Sequence, residues 1–515
     1  MRRDLASLST ELHDVIVVGG GIHGACAAWE AARRGLKVAL IEAGDFNQGT
    51  SSNSLRTLHG GLRSLQRLDF VHMRESIRER REWLRLAPEL TEPLRFVLPA
   101  AKHGTRSRAM LRTALWVNDL VSRDRNRDLP ADHRIPRGSM LSKAEFAALY
   151  PGLAVDGHNG AAAWYDGVCL NTERLQLAVV YAAVRSGACA ANYVRALQPL
   201  YDGGQIIGAR VRDELSGREL DIRARVIINA AGPWIKEWLG GDAPGPAPAF
   251  RASKAFNLLV RKFPFEDALG LTAHHKTYFI MPWNGYSLVG TRHLRCDPRA
   301  RVAEVSRDEV LEFLSDLNPL LGEHRLGGAD VRGVFSGLLP ENAAAGADVA
   351  LQRSPQIIDH SSQGLAGVLS VVGVKWTTAR AVGERVARQA LRHLGRVEPP
   401  ALSRPELDTA SAQLPVDTDP TLAGRIVPDL PLTFAHIAYA ARHEMAMRLS
   451  DVVRRRTPLY LSAALDRSVL ASCAAVMARE LRWNRREMAA EVEAAAAELT
   501  TFRGPLQADP HPVAA

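Results

Sequence analysis

DVIVVGGGIHGACAAWEAARRGLKVALIE, residues 14–42, decides the fold. The five residues from Val15 are apolar or glycine, the pattern of a strand buried in a parallel sheet. Gly19, Gly21 and Gly24 follow in G-x-G-x-x-G spacing, and the pattern predicts a helix over Ala25–Arg34 and a second strand over Lys37–Ile41. Glu42 ends that strand, about where an acidic side chain grips a ribose in a dinucleotide-binding βαβ unit. Each glycine has its own task. Gly19 permits the tight turn, Gly21 lets the backbone approach a pyrophosphate, and Gly24 lets helix and sheet pack closely. The anion then rests on the helix N-terminus, whose free N–H groups and dipole favour negative charge. The spacing alone would fit any glycine-rich turn; strand, helix and acidic residue in order give dinucleotide binding.

A chain of 515 residues is too long for one core and suggests about two to four domains. With 46% apolar and 23% charged residues and a mean hydropathy of −0.11, the composition is that of a soluble globular protein. No stretch approaches the roughly 18–20 uninterrupted apolar residues of a membrane span. The opening MRRDLASLSTELHD lacks the apolar core of a secretory signal. Five scattered cysteines without a C-x-x-C suggest free thiols in a reducing compartment, so the expected location is the cytoplasm or the cytoplasmic face of a membrane.

The net charge of +9 is concentrated in arginines, eight of them between residues 104 and 137. Among them Ala109–Val121 is amphipathic, with Met110, Leu111, Leu115 and Trp116 available for one side. Such a segment either lies on an anionic membrane surface or packs its apolar face on its own domain. Nucleic acid binding is not expected, since no recognised motif accompanies the charge. Nor is a metal site: there is no H-E-x-x-H, and His274 and His275, being adjacent, would point to opposite faces of a strand.

Beyond Glu42, Thr50, Ser51 and Ser52 form a hydroxyl run suited to donating to phosphate or ring edges, and His59-Gly60-Gly61 is a turn that admits something flat. A helix is expected over Phe70–Leu86, then a proline-punctuated stretch, then a strand edge and helix over Ala161–Gly187. A strand near Ala191–Leu197 and a hairpin of Ile206–Asp213 with Glu219–Ala224 precede a buried strand and small-residue turn, Ala224–Trp234. Thr277–His293 reads as a hairpin about Asn284-Gly285, and Leu369–Leu391 repeats the opening theme of strand, turn and helix.

These pieces together resemble the FAD-dependent glycerol-3-phosphate dehydrogenase family, within the wider D-amino-acid-oxidase-like flavoproteins. The resemblance covers nearly the whole chain. It rests on GGGIHGA (Gly19–Ala25), TSS and HGGLR (Thr50–Ser52, His59–Arg63), MPW with GTR (Met281–Arg292), VKWTTAR (Val374–Arg380) and ARHEMAMRLSDVVRRRT (Ala441–Thr457). It implies an α/β fold: a Rossmann-like FAD-binding domain, an inserted strand-rich substrate (cap) domain and a small all-α C-terminal domain. The expected division is FAD-binding parts at 1–90, 161–240 and 346–396, a mixed basic insertion at 91–160 and the substrate domain at 241–345. A linker at 397–431, a helical domain at 432–500 and a tail at 501–515 complete it.

The resemblance also implies roles. FAD would lie on Gly19, Gly21, Gly24 and Glu42, with Thr50, Ser51, Ser52, His59, Gly60 and Gly61 approaching the pyrophosphate and flavin. Val194, Gly232, Gly373, Lys375, Trp376, Thr377 and Thr378 would complete the cofactor site. Arg63 matches an arginine that meets the substrate phosphate, where a guanidinium fork suits the anion. Arg353 falls where relatives commonly have another, and Asn257, Arg292 and Lys375 are further candidates for the substrate side. Departures stand beside these. Leu339 occupies the place of a second phosphate-binding arginine, Asn257 that of a histidine, Ser64 and Ala379 those of tyrosines, and Val374 that of a glycine. Arg292 or His293 could compensate for the lost cation.

The implied reaction oxidises a small secondary alcohol by hydride transfer to flavin, with a base taking the hydroxyl proton; His59 is the first candidate and His293 the second. A membrane quinone or another acceptor would take the electrons, and a homo-oligomer is expected to be possible through the C-terminal helices. Three other readings stay open: a family member acting on another hydroxylated or phosphorylated compound, an O₂-using oxidase of a small amine or amino acid, and a flavoprotein without catalysis.

Overall fold

The buried run beginning at Val15 becomes an interior strand of an eight-stranded sheet. The computed structural model describes residues 1–154, 157–239, 250–274, 276–297, 302–342, 349, 351–352, 354–400, 402, 404–409 and 419–506. In chain order α1 (Leu5–Thr10) leads into β1 (Leu12–Val18), α2 (Ile22–Arg33) and β2 (Val38–Ile41). Next come β3 (Thr57–Leu58), α3 (Phe70–Leu86), β4 (Thr91–Pro99), α4 (Arg108–Val121), β5 (Ser139–Leu141), α5 (Lys143–Leu149) and β6 (Ala161–Cys169). Then follow α6 (Thr172–Arg185), β7 (Cys189–Ala191), β8 (Val194–Asp202), β9 (Gln205–Asp213), β10 (Glu219–Asn229) and α7 (Ile235–Trp238). After β11 (Phe250–Arg261), β12 (Ala268–Ala273), β13 (Lys276–Trp283) and β14 (Tyr286–Arg295), α8 (Arg307–Leu321) precedes β15 (Val331–Asn342). The chain continues through β16 (Gln356–Asp359), β17 (Val368–Val372) and α9 (Ala379–His393). It closes with α10 (Phe434–His443), α11 (Leu449–Asp451), α12 (Arg467–Leu481) and α13 (Arg485–Arg503).

The first sheet runs β16-β17-β10-β1-β2-β7, parallel except at β16, with the β8–β9 hairpin joined to β10. Small residues let its helices approach: a Cβ on Gly383 of α9 would stand 2.6 Å from the Cys26 backbone of α2. The second sheet runs β15-β11-β14-β13-β12-β4-β6-β3. Its two faces divide by strand parity. Phe256, Leu258 and Val260 of β11 bury against Phe313, Leu314 and Leu317 of α8. Leu259, with Met281, Leu288 and Phe335, belongs instead to a core shared with the C-terminal helices.

Several boundaries differ from the sequence reading. The first-motif helix starts at Ile22 rather than Ala25, because Gly21 already supplies the extended N-cap. Residues 91–99 and 161–169 are neither insertion nor returning nucleotide fold: as β4 and β6 they pair along their whole length in the second sheet. The C-terminal helices carry more than packing. Arg455 and Arg456 reach the buried Asp45 at 2.8 and 2.7 Å, joining this end of the chain to the loop after β2. On α4 only Leu115 is buried, whereas Met110 and Trp116 are exposed. Among the described residues no helix is long and apolar enough to cross a membrane.

Candidate active site

The cradle forms at the C-terminal edge of the first sheet, where β1 gives way to α2. Gly19 has φ +105°, open to glycine without strain, and an added Cβ would stand 2.8 Å from the Ala230 carbonyl carbon. A Cβ on Gly24 would fall onto the Gly19 carbonyl oxygen, so that residue also has to be glycine. At Gly21 an added Cβ would meet only the Ser51 hydroxyl, at 3.3 Å. Glu42 braces the turn: its carboxylate accepts from Gly20 N–H at 2.6 Å and from Gly44 N–H at 2.9 Å. Burial raises its pKa, the two N–H groups opposing. Its remaining lone pairs suit ribose hydroxyls.

The hydroxyl run divides its work. Thr50 donates to the Leu338 carbonyl at 3.0 Å and Ser52 to the Gly49 carbonyl at 3.1 Å, so neither is free as expected to meet a phosphate. Ser51 accepts from Ile22 N–H at 3.0 Å at the start of α2, which leaves its own proton to donate. Buried polar atoms without a hydrogen-bond partner gather on the same segments: His23 Nε2, both side-chain polar atoms of Asn47, Trp376 Nε1 and Thr378 Oγ1. A glycine cradle, a helix N-terminus and unspent buried donors fit an extended dinucleotide. His23 and Asn47 escaped the sequence reading. The signal for His23 was its place inside the glycine motif; for Asn47, which has φ +67°, there was none.

Val194 and Gly373 lie beside this cradle. Val194 N–H donates to the Glu42 carbonyl at 2.7 Å, and a Cβ on Gly373 would overlap the His23 ring. Gly232, with φ +60°, opens the turn after β10. Burial pushes the His23 imidazole down to about 4, so it is neutral.

Two distant turns meet at the far end. His59 N–H donates to Thr377 Oγ1 at 3.0 Å, and the Trp83 indole donates to the Thr377 carbonyl at 2.8 Å. The Trp376 ring lies 5.0 Å from that of Trp83, tilted by 51°. The buried Asp166 accepts from Gly60 N–H at 2.7 Å, pairs with Arg80 and stands 3.6 Å from His59 Nδ1. Burial opposes its charge, but His59, Arg80 and Gly60 together hold its pKa below the ordinary carboxylate value. Gly61, with φ +78°, turns the chain so that Arg63 follows on a short 3₁₀ helix. Arg63 is exposed and forms no ion pair among the described residues. Its charge reaches both Lys375 and His293. Lys375 is driven down mainly by burial, with Glu75 and Asp69 opposing and Arg63 adding to the fall. The turn carrying His59 and Arg63 is thus joined to the turn carrying Lys375.

The other substrate-side expectations fare differently. Arg292 points to α8, pairing with Asp316 and, at 3.3 Å, with Glu312, and lying 5.7 Å over Phe313. It is not presented to those two turns, since strand parity sends it to the opposite face. The Asn257 amide donates to the Asn53 carbonyl at 3.1 Å and accepts from Thr291 Oγ1 at 2.7 Å, so it ties the sheet to the nucleotide half. Arg353 and His275 lie outside the described residues. No cluster of three or more potential metal ligands occurs among those described.

Comparison with known proteins gives the family and the fold. Residues 14–389 match the family described as FAD dependent oxidoreductase, and residues 408–488 match the C-terminal domain of alpha-glycerophosphate oxidase. A glycerol-3-phosphate dehydrogenase of Synechocystis is 31% identical over 89% of this chain and 90% of its own length. A probable mitochondrial glycerol-3-phosphate dehydrogenase of Caenorhabditis elegans is 30% identical over 96% of this chain and 74% of its own. The structure of the glycerol-3-phosphate dehydrogenase from Bacillus halodurans complexed with FAD superposes with a TM-score of 0.75 over 98% of this chain and 97% of that one, at 23% identity.

Proposed function

This chain belongs to the FAD-dependent oxidoreductase family, and on that premise we propose that its cleft oxidises sn-glycerol 3-phosphate to dihydroxyacetone phosphate. The observation that carries the reading is the hydrogen bond from His59 N–H to Thr377 Oγ1, which joins the turn carrying His59 and Arg63 to the turn carrying Lys375. The cofactor is FAD, and when bound it accepts the hydride that leaves the carbinol carbon. The chain does the rest. Gly19, Gly21, Gly24, Glu42 and Ser51 hold the nucleotide end. Arg63 presents a guanidinium fork to the phosphate, and Lys375 adds positive charge beside it. His59 takes the hydroxyl proton, its ring steered by the buried Asp166. Asp166 itself is anchored by Arg80 and Gly60 N–H, so its orientation is fixed before substrate arrives.

Electrons then pass to a quinone or another acceptor at the cytoplasmic face of a membrane. Support for the membrane contact comes from exposed Met110, Trp116 and Leu120 on α4 and exposed Leu68, Phe70 and Val71, with arginines interspersed. The turn Leu62–Arg67 touches α4, which brings the two groups to one side. Anaerobic addition of sn-glycerol 3-phosphate to the yellow holoenzyme tests the function: the flavin band bleaches. Bleaching by dithionite but not by this substrate overturns the reading. Co-sedimentation with anionic vesicles, lost in Trp116→Glu, tests the surface.

A further inference from the structure

Neighbouring residues of β14 face opposite ways. Arg292 lies opposite Phe256 and turns to α8. His293 lies opposite Ala255 and therefore turns to the nucleotide half. Two contacts fix the direction of that face: Asn257 binds the Asn53 carbonyl, and Gly337, opposite Ala255 on β15, lies so close to Thr50 that a Cβ would stand 2.9 Å from its methyl.

On this face the neighbours are spent or mute. The Asn257 amide is used on Asn53 and Thr291, and the side chains at Ala255, Gly337 and Leu339 offer no donor. His293 differs. Its Nδ1 is buried without a partner, and neither ring nitrogen forms a hydrogen bond among the described residues. Burial first, then the charges of Arg63 and Lys276, push the imidazole down to about 4. At neutral pH it is an uncharged ring with one N–H donor beside two cations. Cations held together without a counter-ion repel one another, and an anion set among them relieves that repulsion while accepting the imidazole N–H.

We propose that His293 is a substrate-binding residue that, with Arg63, holds the phosphate end of the substrate. The inference rests on the reading above that the substrate is phosphorylated. It places the anion against β14 rather than against Leu339 of β15, on the other flank of β11.

The test uses the FAD-loaded enzyme. In His293→Leu the KM for sn-glycerol 3-phosphate rises ~10-fold or more, and the inhibition constant of inorganic phosphate rises in parallel. kcat stays within about threefold and the flavin spectrum is unchanged. Adding Leu339→Arg to His293→Leu restores most of the phosphate affinity, which no merely structural role would allow. A fall in kcat with KM unchanged would place the imidazole at the reacting hydroxyl and overturn the proposal, as would no change in either constant. If His293→Leu fails to retain flavin, His293→Asn is read on the same two constants, with a smaller rise expected. Failure of the substrate reading shows separately, as wild-type enzyme that glycerol 3-phosphate does not reduce. Phosphate binding, followed through the flavin spectrum of wild type and variant, then still decides the role of His293.

Discussion

Around Gly19–Gly24 the polar groups of the cradle find partners close by in sequence: Gly20 N–H on Glu42, Ile22 N–H on Ser51. At the opposite end Arg63 and the His293 ring stand without partners among the described residues, and Lys375 is half-buried. In the first region the backbone turn is braced before any ligand arrives, while His23 Nε2 and the Asn47 side chain stay unspent; the second presents Arg63 exposed and without an ion pair among the described residues. A cofactor that stays bound is served by a rigid backbone cradle, and an anion that comes and goes by the exposed Arg63 guanidinium, which has no ion pair among the described residues. The contrast can be broken from either side.

The largest effect is expected in the cradle. Gly24→Ala drives a methyl into the Gly19 carbonyl, and the purified protein should carry little or no flavin, read from the visible absorbance per chain. Next comes the brace behind it. Arg456→Met leaves the buried Asp45 short of its closest guanidinium, and urea unfolding should show a loss of about 3–5 kcal/mol. If stability hardly changes, the C-terminal helices do not support the nucleotide loop.

A smaller effect concerns pH. The folded-state pKa of His23 lies at about 4, below its unfolded value, so the unfolded chain binds more protons between the two. Its contribution to stability is therefore complete above the unfolded pKa and is lost as pH falls towards about 4. Thermal melts from pH 7 down to pH 4 should show a drop that His23→Asn flattens; an equal drop in both proteins would assign the acid sensitivity elsewhere.

The same contrast explains what the sequence could reveal. Gly19, Gly21, Gly24 and Glu42 lie within one βαβ unit, where spacing is geometry, and all of them fall in the cradle. The helix Phe70–Leu86 and the turn at Asn284-Gly285 were equally local: the helix has the bounds its pattern implied, and the hairpin, Lys276–Arg295, runs past the expected Thr277–His293 at both ends. The substrate face was not local. Whether Arg292 or His293 faces the cleft depends on the register of β14 against β11, two strands separated by more than twenty residues, with an irregularity between Phe256 and Leu258. A slip of one residue exchanges their faces. The role of Asp45 was hidden for a similar reason: its partners Arg455 and Arg456 lie at the other end of the chain. β4 was misplaced because its proline-punctuated surroundings read as an insertion, and β6, although read as a strand edge, was given to the nucleotide fold; their pairing in the second sheet decides both.

The most direct measurement sets two arginines against each other. In anaerobic stopped-flow reduction of the flavin by sn-glycerol 3-phosphate, Arg63→Gln should raise the apparent Kd roughly 10–100-fold, the loss of about 1.5–3 kcal/mol of charge-assisted bonding. Arg292→Gln, which withdraws a side chain that pairs with Asp316 of α8, should leave that Kd within about twofold. The reverse order, a large rise for Arg292→Gln and none for Arg63→Gln, would place the phosphate on the α8 side of the sheet and contradict the account.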